Sequence, residues 1–266
     1  MTESLLARIN AIPPLPESVQ EVERLYRNVD STLDEMQVAI EKDPFLAANI
    51  LRLVNSPLYE LKTKVTNLKR AILLLGKAAI RTFVLSSSID SNFDIDLSPY
   101  NMTHEQFQAQ CELQMALAVH WLGKSQDTGA SIVVPAAFMS DVGRLIISQT
   151  LIEDGKSALL LDALSQGESI SQAEKNVCGA TCSEVTAALF KSWELDDDLV
   201  SLIACSDSPT GEDEEFVMLC AQLKVIRQTT ELDGTISDSS IAAAKVTIEQ
   251  FGLDLEAYEG ALEELS

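Results

Sequence analysis

Between Asp43 and Ser56 the chain reads DPFLAANILRLVNS, a helix whose start and stop are both written into it. Asp43 can accept from the free N–H groups of the first turn, and Pro44 suits a position where no N–H bond is needed. Leu46, Ala47, Ile50, Leu53 and Val54 then fall on one face, and Asn55, Ser56 and Pro57 end the run. The same periodicity recurs along most of the chain. Val19, Val22, Leu25 and Tyr26 make one stripe, and Leu33, Met36, Val38 and Ile40 make another behind a cap at Ser31 or Thr32. Asn67 can open a helix that Gly76 closes, and a further helix carries Ile80, Phe83 and Val84. Helical patterns also fit 107–122, 134–148, 153–164, 169–177, 183–193, 196–204, 214–229, 237–251 and 255–265. No segment alternates as a strand with hairpin turns, so the expectation is an all-α fold.

The periodicity lapses between Ile89 and Met102, where Ser91, Asn92, Pro99 and Asn101 cluster. The charge changes there too. Basic and acidic residues balance through Asp90, and the whole net charge of −22 lies beyond it. The expected organisation is an N-terminal helical subdomain over 1–90, a second bundle over 91–208 and a C-terminal helical extension over 209–266. An acidic field of this size opposes nucleic acid and anionic membranes and suits a basic protein partner. No uninterrupted apolar run reaches the ~18 residues of a membrane span, and Met1–Ser4 lacks the basic start of a signal peptide. A cytoplasmic chain is therefore expected. Its five cysteines (Cys111, Cys178, Cys182, Cys205 and Cys220) are odd in number and widely spaced, which reads as reduced, mostly buried thiols.

The order DP…L…IL…L…NS followed by AI…LG, carried by Asp43, Pro44, Asn55, Ser56 and Gly76, resembles the HDOD family. The resemblance covers roughly Ile12 to Ser208. It implies an HD-related helical bundle with an N-terminal helical subdomain, in a bacterial regulator without hydrolase activity of its own. Family members often accompany signalling modules.

The catalytic HD relatives hold divalent metal with histidines, an adjacent His-Asp pair and a further Asp. The segment Pro135–Ile147 resembles the helix that carries this pair, but Ser140 stands where His is expected and Asp141 remains. Gln110 falls where the first metal histidine often lies, Cys182 replaces another, and Ser206 and Asp207 stand where further histidines often occur. The chain has two histidines, His104 and His120, and neither matches a ligand position. The resemblance thus implies no catalytic residue, no metal and no cofactor. It leaves Gln110, Ser140, Asp141, Cys182, Ser206 and Asp207 as a remnant polar pocket.

A second candidate surface is basic. Lys62, Lys64, Lys69, Arg70, Lys77 and Arg81 occur with no acidic residue among them, which suits docking of an acidic protein segment. The resulting expectation is a regulatory module that binds a signalling protein, with its oligomeric state left open. The competing readings are a metal-dependent phosphohydrolase and a sensor of a small ligand such as a nucleotide second messenger. No Gly-rich phosphate loop, nucleophile elbow or H-E-x-x-H motif is present.

Overall fold

The structure, a computed structural model, describes residues 1–55, 63–92, 96–123 and 129–265. Ser56 and Lys62 lie outside the described residues. Among these residues the regular structure is helical throughout, with no strand. The chain divides into two units: Pro13–Phe93, and Met1–Ile12 together with Asp94–Ser266. The first twelve residues therefore pack with the later helices, whereas the sequence grouped them with the N-terminal ones. Residues 209–266 belong to the same unit as the bundle before them.

In the unit Pro13–Phe93, α2 (Glu17–Arg27), α3 (Leu33–Glu41), α4 (Pro44–Val54) and α5 (Leu68–Asn92) enclose a core. Val19, Val22, Leu25, Met36, Ile40, Ile50, Ile72 and Ile80 are buried in it. Thr32 is the cap of α3. Its Oγ1 accepts from the Glu35 N–H at 3.2 Å, while Glu35 returns a carboxylate to the Thr32 N–H at 2.7 Å. Asp43 Oδ1 accepts from the Leu46 N–H at 3.1 Å, which starts α4 as the sequence reading expects.

Asn55 does more than end that helix. Its side-chain amide donates to the carbonyls of Leu51 (2.6 Å) and Val65 (2.7 Å), and its Oδ1 accepts from the Val65 N–H at 2.7 Å. One side chain thus staples the end of α4 to the segment entering α5. Gly76 interrupts α5 with φ +77° and ψ 166°, a backbone region essentially reserved for glycine. The helix resumes on the far side, so Gly76 marks a break within α5.

The deepest ion pair of this unit joins α2 to α5. Arg81 donates Nε to Glu23 Oε2 and Nη2 to Glu23 Oε1, both at 2.7 Å. The two residues are 2% and 5% exposed. Arg27 Nε adds a 3.2 Å contact to Glu23, and the Arg81 guanidinium lies 4.4 Å from the centre of the Tyr26 ring.

The other unit contains α1 (Glu3–Ala11), a short 3-10 turn (Ser98–Tyr100), α6 (His104–Leu122), α7 (Ala130–Met139), α8 (Gly143–Glu153), α9 (Ser157–Ser165) and α10 (Ile170–Cys178). It continues with α11 (Cys182–Ser192), α12 (Asp197–Cys205), α13 (Glu214–Thr229), α14 (Asp238–Phe251) and α15 (Leu255–Leu265). The α7 helix packs against α6, α12 and α13, and α8 packs against α1 and α11. Together α7 and α8 span Ala130–Glu153, a stretch long and apolar enough to cross a membrane. Here it is mostly buried within the unit; Ala136, Ala137, Ile146 and Ile147 are fully enclosed.

The single helix expected over 134–148 is instead two, separated by a turn at Ser140–Val142. Close packing follows immediately. The Gly143 N–H donates to Thr186 Oγ1 at 2.8 Å, and a Cβ at Gly143 would meet the Cys182 carbonyl oxygen at 2.3 Å. Only glycine lets α8 start this close to α11, and that approach sets Asp141 against Cys182.

Candidate functional site

Asp141 occupies the turn just before the N-terminus of α8, where the helix dipole favours a negative charge. It is 1% exposed. Both carboxylate oxygens are engaged. Oδ1 accepts from Arg144 Nη2 at 3.2 Å and Arg227 Nη2 at 3.0 Å, and Oδ2 accepts from Gln114 Nε2 at 2.8 Å. The Cys182 thiol lies 3.7 Å from Oδ1. Burial works against ionisation of Asp141, but Arg144 and Arg227 overcome it and hold its carboxyl well below the ordinary range.

Each arginine is itself tied down. Arg144 Nη1 donates to Gln110 Oε1 at 2.6 Å, and its guanidinium lies 5.4 Å from the centre of the Tyr100 ring. Arg227 comes from α13 and reaches across to α12. Its Nη1 donates to Asp207 Oδ1 at 2.8 Å, Ser206 Oγ at 3.2 Å and Ser183 Oγ at 2.5 Å. Burial opposes the charge on Asp207, and the facing Arg227 still holds its carboxyl below the usual value.

A buried carboxylate flanks this network. Glu174 on α10 accepts from the Tyr100 hydroxyl at 2.9 Å and from the Cys182 N–H, the first of α11, at 2.6 Å. Burial pushes its carboxyl up to about 7, against the pull of Arg144. The sign of the pH effect follows. A group whose pKa rises on folding stabilises the fold most at low pH, and here the contribution fades as pH rises from the ordinary 4.5 through about 7. Urea unfolding of the Glu174→Gln variant is therefore expected to remove a decline of about 3 kcal/mol between pH 4.5 and 8. An unchanged pH slope in the variant would refute this role for Glu174.

Gln110, Asp141, Cys182, Ser206 and Asp207, named from the sequence, are thus assembled in one network. Ser140 is fully buried beside it; its carbonyl accepts from Thr186 Oγ1 at 2.9 Å, and its hydroxyl turns back to the Ala137 carbonyl at 3.4 Å. Sequence reasoning missed Arg144, Arg227, Gln114, Glu174 and Tyr100. Arg144 was visible as the lone charge in an apolar run, three residues after Asp141 and hence on the same side of a helix turn. Gln114 follows Gln110 by four residues, again on one face of α6. Nothing local in the sequence marks Arg227.

The residues do not fit a divalent metal. The one central carboxylate already faces two guanidinium groups, and burial pushes the Cys182 thiol far above its ordinary value, so it stays protonated. Arg144 Nε and Arg227 Nε, both buried without a partner, are N–H donors that would repel a cation. Among the described residues no group of three or more His, Cys, Asp or Glu side chains is placed to share an ion. His120 pairs with Glu264 at 2.6 Å instead.

Two expectations require correction. The six basic residues do not form one exposed face. Arg81 is buried against Glu23, Lys77 donates to the Ser31 carbonyl and to Ser31 Oγ (2.7 Å), and Lys69 pairs with Asp34 at 2.6 Å. Lys64, Lys69 and Arg70 are exposed. The local sequence lacked acids, but the fold supplies Glu23 and Asp34 from α2 and α3. The cysteines are not all reduced either. Cys205 and Cys220 form a disulfide, while Cys111, Cys178 and Cys182 are free and buried. Fifteen residues separate the bonded pair in sequence, a distance that spacing alone does not flag.

The unit is all-α, with a buried aspartate before a core helix and glutamine, cysteine and serine around it. The model of the HDOD domain matches residues 12–209, and the chain belongs to that family. An HDOD domain protein of Geobacter sulfurreducens has the same fold, with TM-score 0.74 and 18% identity over 98% of this chain and 93% of the other. A protein of Shewanella amazonensis SB2B, named as a presumed phosphohydrolase, gives TM-score 0.70 and 23% identity, covering 98% and 94%. At that identity the likeness concerns fold alone. A Treponema pallidum (strain Nichols) protein is 21% identical over 252 residues, 88% of this chain and 45% of the relative. The chain thus spans about half the length of the curated relative it matches.

Proposed function

We propose that this chain is a non-catalytic regulatory module that acts in a cytoplasmic signalling pathway by binding a protein partner. The observation that carries the reading is the Arg227–Asp141 contact at 3.0 Å. At the centre where the catalytic relatives would gather metal ligands, a guanidinium supplies the positive charge, and its other nitrogen is held by Ser183, Ser206 and Asp207. A fixed cation of this kind neutralises the carboxylate but cannot lower the pKa of a bound water, which is the service a hydrolytic metal provides. The family adds support, since the resemblance implies regulators rather than hydrolases.

The test has two arms. Phosphodiesterase and phosphatase assays with added manganese, iron or zinc are expected to show no turnover that depends on Asp141. Turnover abolished by Asp141→Ala would make the protein an enzyme and end this reading. Affinity capture from the native cell, quantified by mass spectrometry, is expected to recover a partner. That partner should be lost selectively when Lys64 and Arg70, two exposed cations of the unit Pro13–Phe93, are reversed to glutamate.

A further inference from the structure

Cys205 is the last residue of α12, and Cys220 lies in the second turn of α13. Their Cα atoms are 5.9 Å apart and a disulfide joins them, a separation well within the usual range for such bonds. The bond closes the connection 206–213 at its base. Ser206 and Asp207 follow Cys205 directly and accept from Arg227 Nη1. Arg227 lies seven residues beyond Cys220, two turns along α13 and hence on the same side of it. The disulfide and the Arg227–Asp207 ion pair are therefore two rungs between the same elements.

We propose that Cys205 and Cys220 are a redox modification site, operated by small-molecule disulfides of the glutathione type, that latches the acidic connection between α12 and α13. Cys205 is half-buried and Cys220 fully buried, which assigns their order. The Cys205 thiolate attacks one sulfur of the incoming disulfide and releases one thiol. Cys220 then attacks the mixed disulfide at Cys205 Sγ, forms the internal bond and releases the second thiol. Two electrons pass from the cysteine pair to the small disulfide, and the two protons end on the two released thiols.

The other cysteines are poorly placed for this chemistry. All three are buried, with burial pushing Cys178 up to about 12 and holding Cys182 protonated. In a cytosolic setting a disulfide is characteristically transient and redox-sensing. The segment it would latch carries Glu212 and Asp213 and runs into Glu214 and Glu215, so the oxidised and reduced forms would present this acidic surface with different freedom.

The experiment uses the full chain equilibrated with defined ratios of reduced and oxidised glutathione. Alkylation under denaturing conditions and peptide mass mapping are expected to show five reactive thiols at the reduced end and three at the oxidised end, with Cys205 and Cys220 protected together. Amide hydrogen exchange over 206–213 is expected to slow about tenfold on oxidation. In the Cys205→Ser, Cys220→Ala double variant it should stay at the reduced rate under all ratios. Five alkylatable thiols at every ratio, or protection of a different pair, would overturn the proposal. So would a bond whose formation leaves 206–213 exchange within about twofold of the reduced rate. The wild-type comparison decides the matter even if the double variant fails to fold.

Discussion

Glu23→Ala is expected to destabilise the unit Pro13–Phe93 by about 3–5 kcal/mol. The loss comes from what remains. Arg81, 2% exposed, would keep its charge between α2 and α5 with neither carboxylate oxygen to receive its two 2.7 Å bonds. The Tyr26 ring at 4.4 Å offers only partial compensation. Replacing both partners by apolar residues, as in Glu23→Leu with Arg81→Met, is expected to recover most of the loss, because the buried guanidinium is then removed together with its carboxylate. Both tryptophans, Trp121 and Trp193, lie in the other unit, so tryptophan fluorescence would not report this change directly. Hydrogen exchange of α2 and α5 amides under native conditions would. A single-variant loss below about 1 kcal/mol would mean that the pair is not the linchpin its burial suggests.

Arg227→Met carries an effect of similar size in the other unit, about 3–5 kcal/mol near neutral pH. It removes the 3.0 Å partner of Asp141 and the 2.8 Å partner of Asp207 together. The pH dependence separates this from a packing defect. Both carboxyls titrate below their ordinary value of 3.8 in the folded chain. Their contribution to stability is present above that value and is lost as pH falls through the depressed one. The gap between wild type and variant should therefore be widest at neutral pH and narrow as the medium is acidified toward 3.8 and below. Urea unfolding followed by tryptophan fluorescence would show it. A gap independent of pH would assign the loss to the missing side-chain volume of Arg227 and not to its charge.

Local signals in the chain made much of this fold legible. The cap at Asp43, the capping box at Thr32 and the break at Gly76 are short-range devices, and each sits where its residue type demands. The turn at Ser140–Val142 escaped notice for a physical reason. Both α7 and α8 are buried on several sides, so neither shows an apolar stripe whose phase could register an interruption. The polar centre was half visible. Gln110, Asp141, Cys182, Ser206 and Asp207 could be named because a family resemblance fixes their places. Of their counter-charges Arg144 left a local trace and Arg227 none, since pairing between residue 141 and residue 227 is a property of the folded chain. The basic face failed in the mirror image of this: its cations are close in sequence, and the acids that neutralise Lys69 and Arg81 arrive from α3 and α2.

One consequence follows from where Arg227 sits. The family match ends at residue 209, and Arg227 lies eighteen positions past it on α13. A fragment trimmed to the matched segment would retain both buried acids, Asp141 and Asp207, yet surrender the guanidinium they share. Expression boundaries for this protein should therefore be drawn around its electrostatic closure, which needs α13, and not around the recognisable domain.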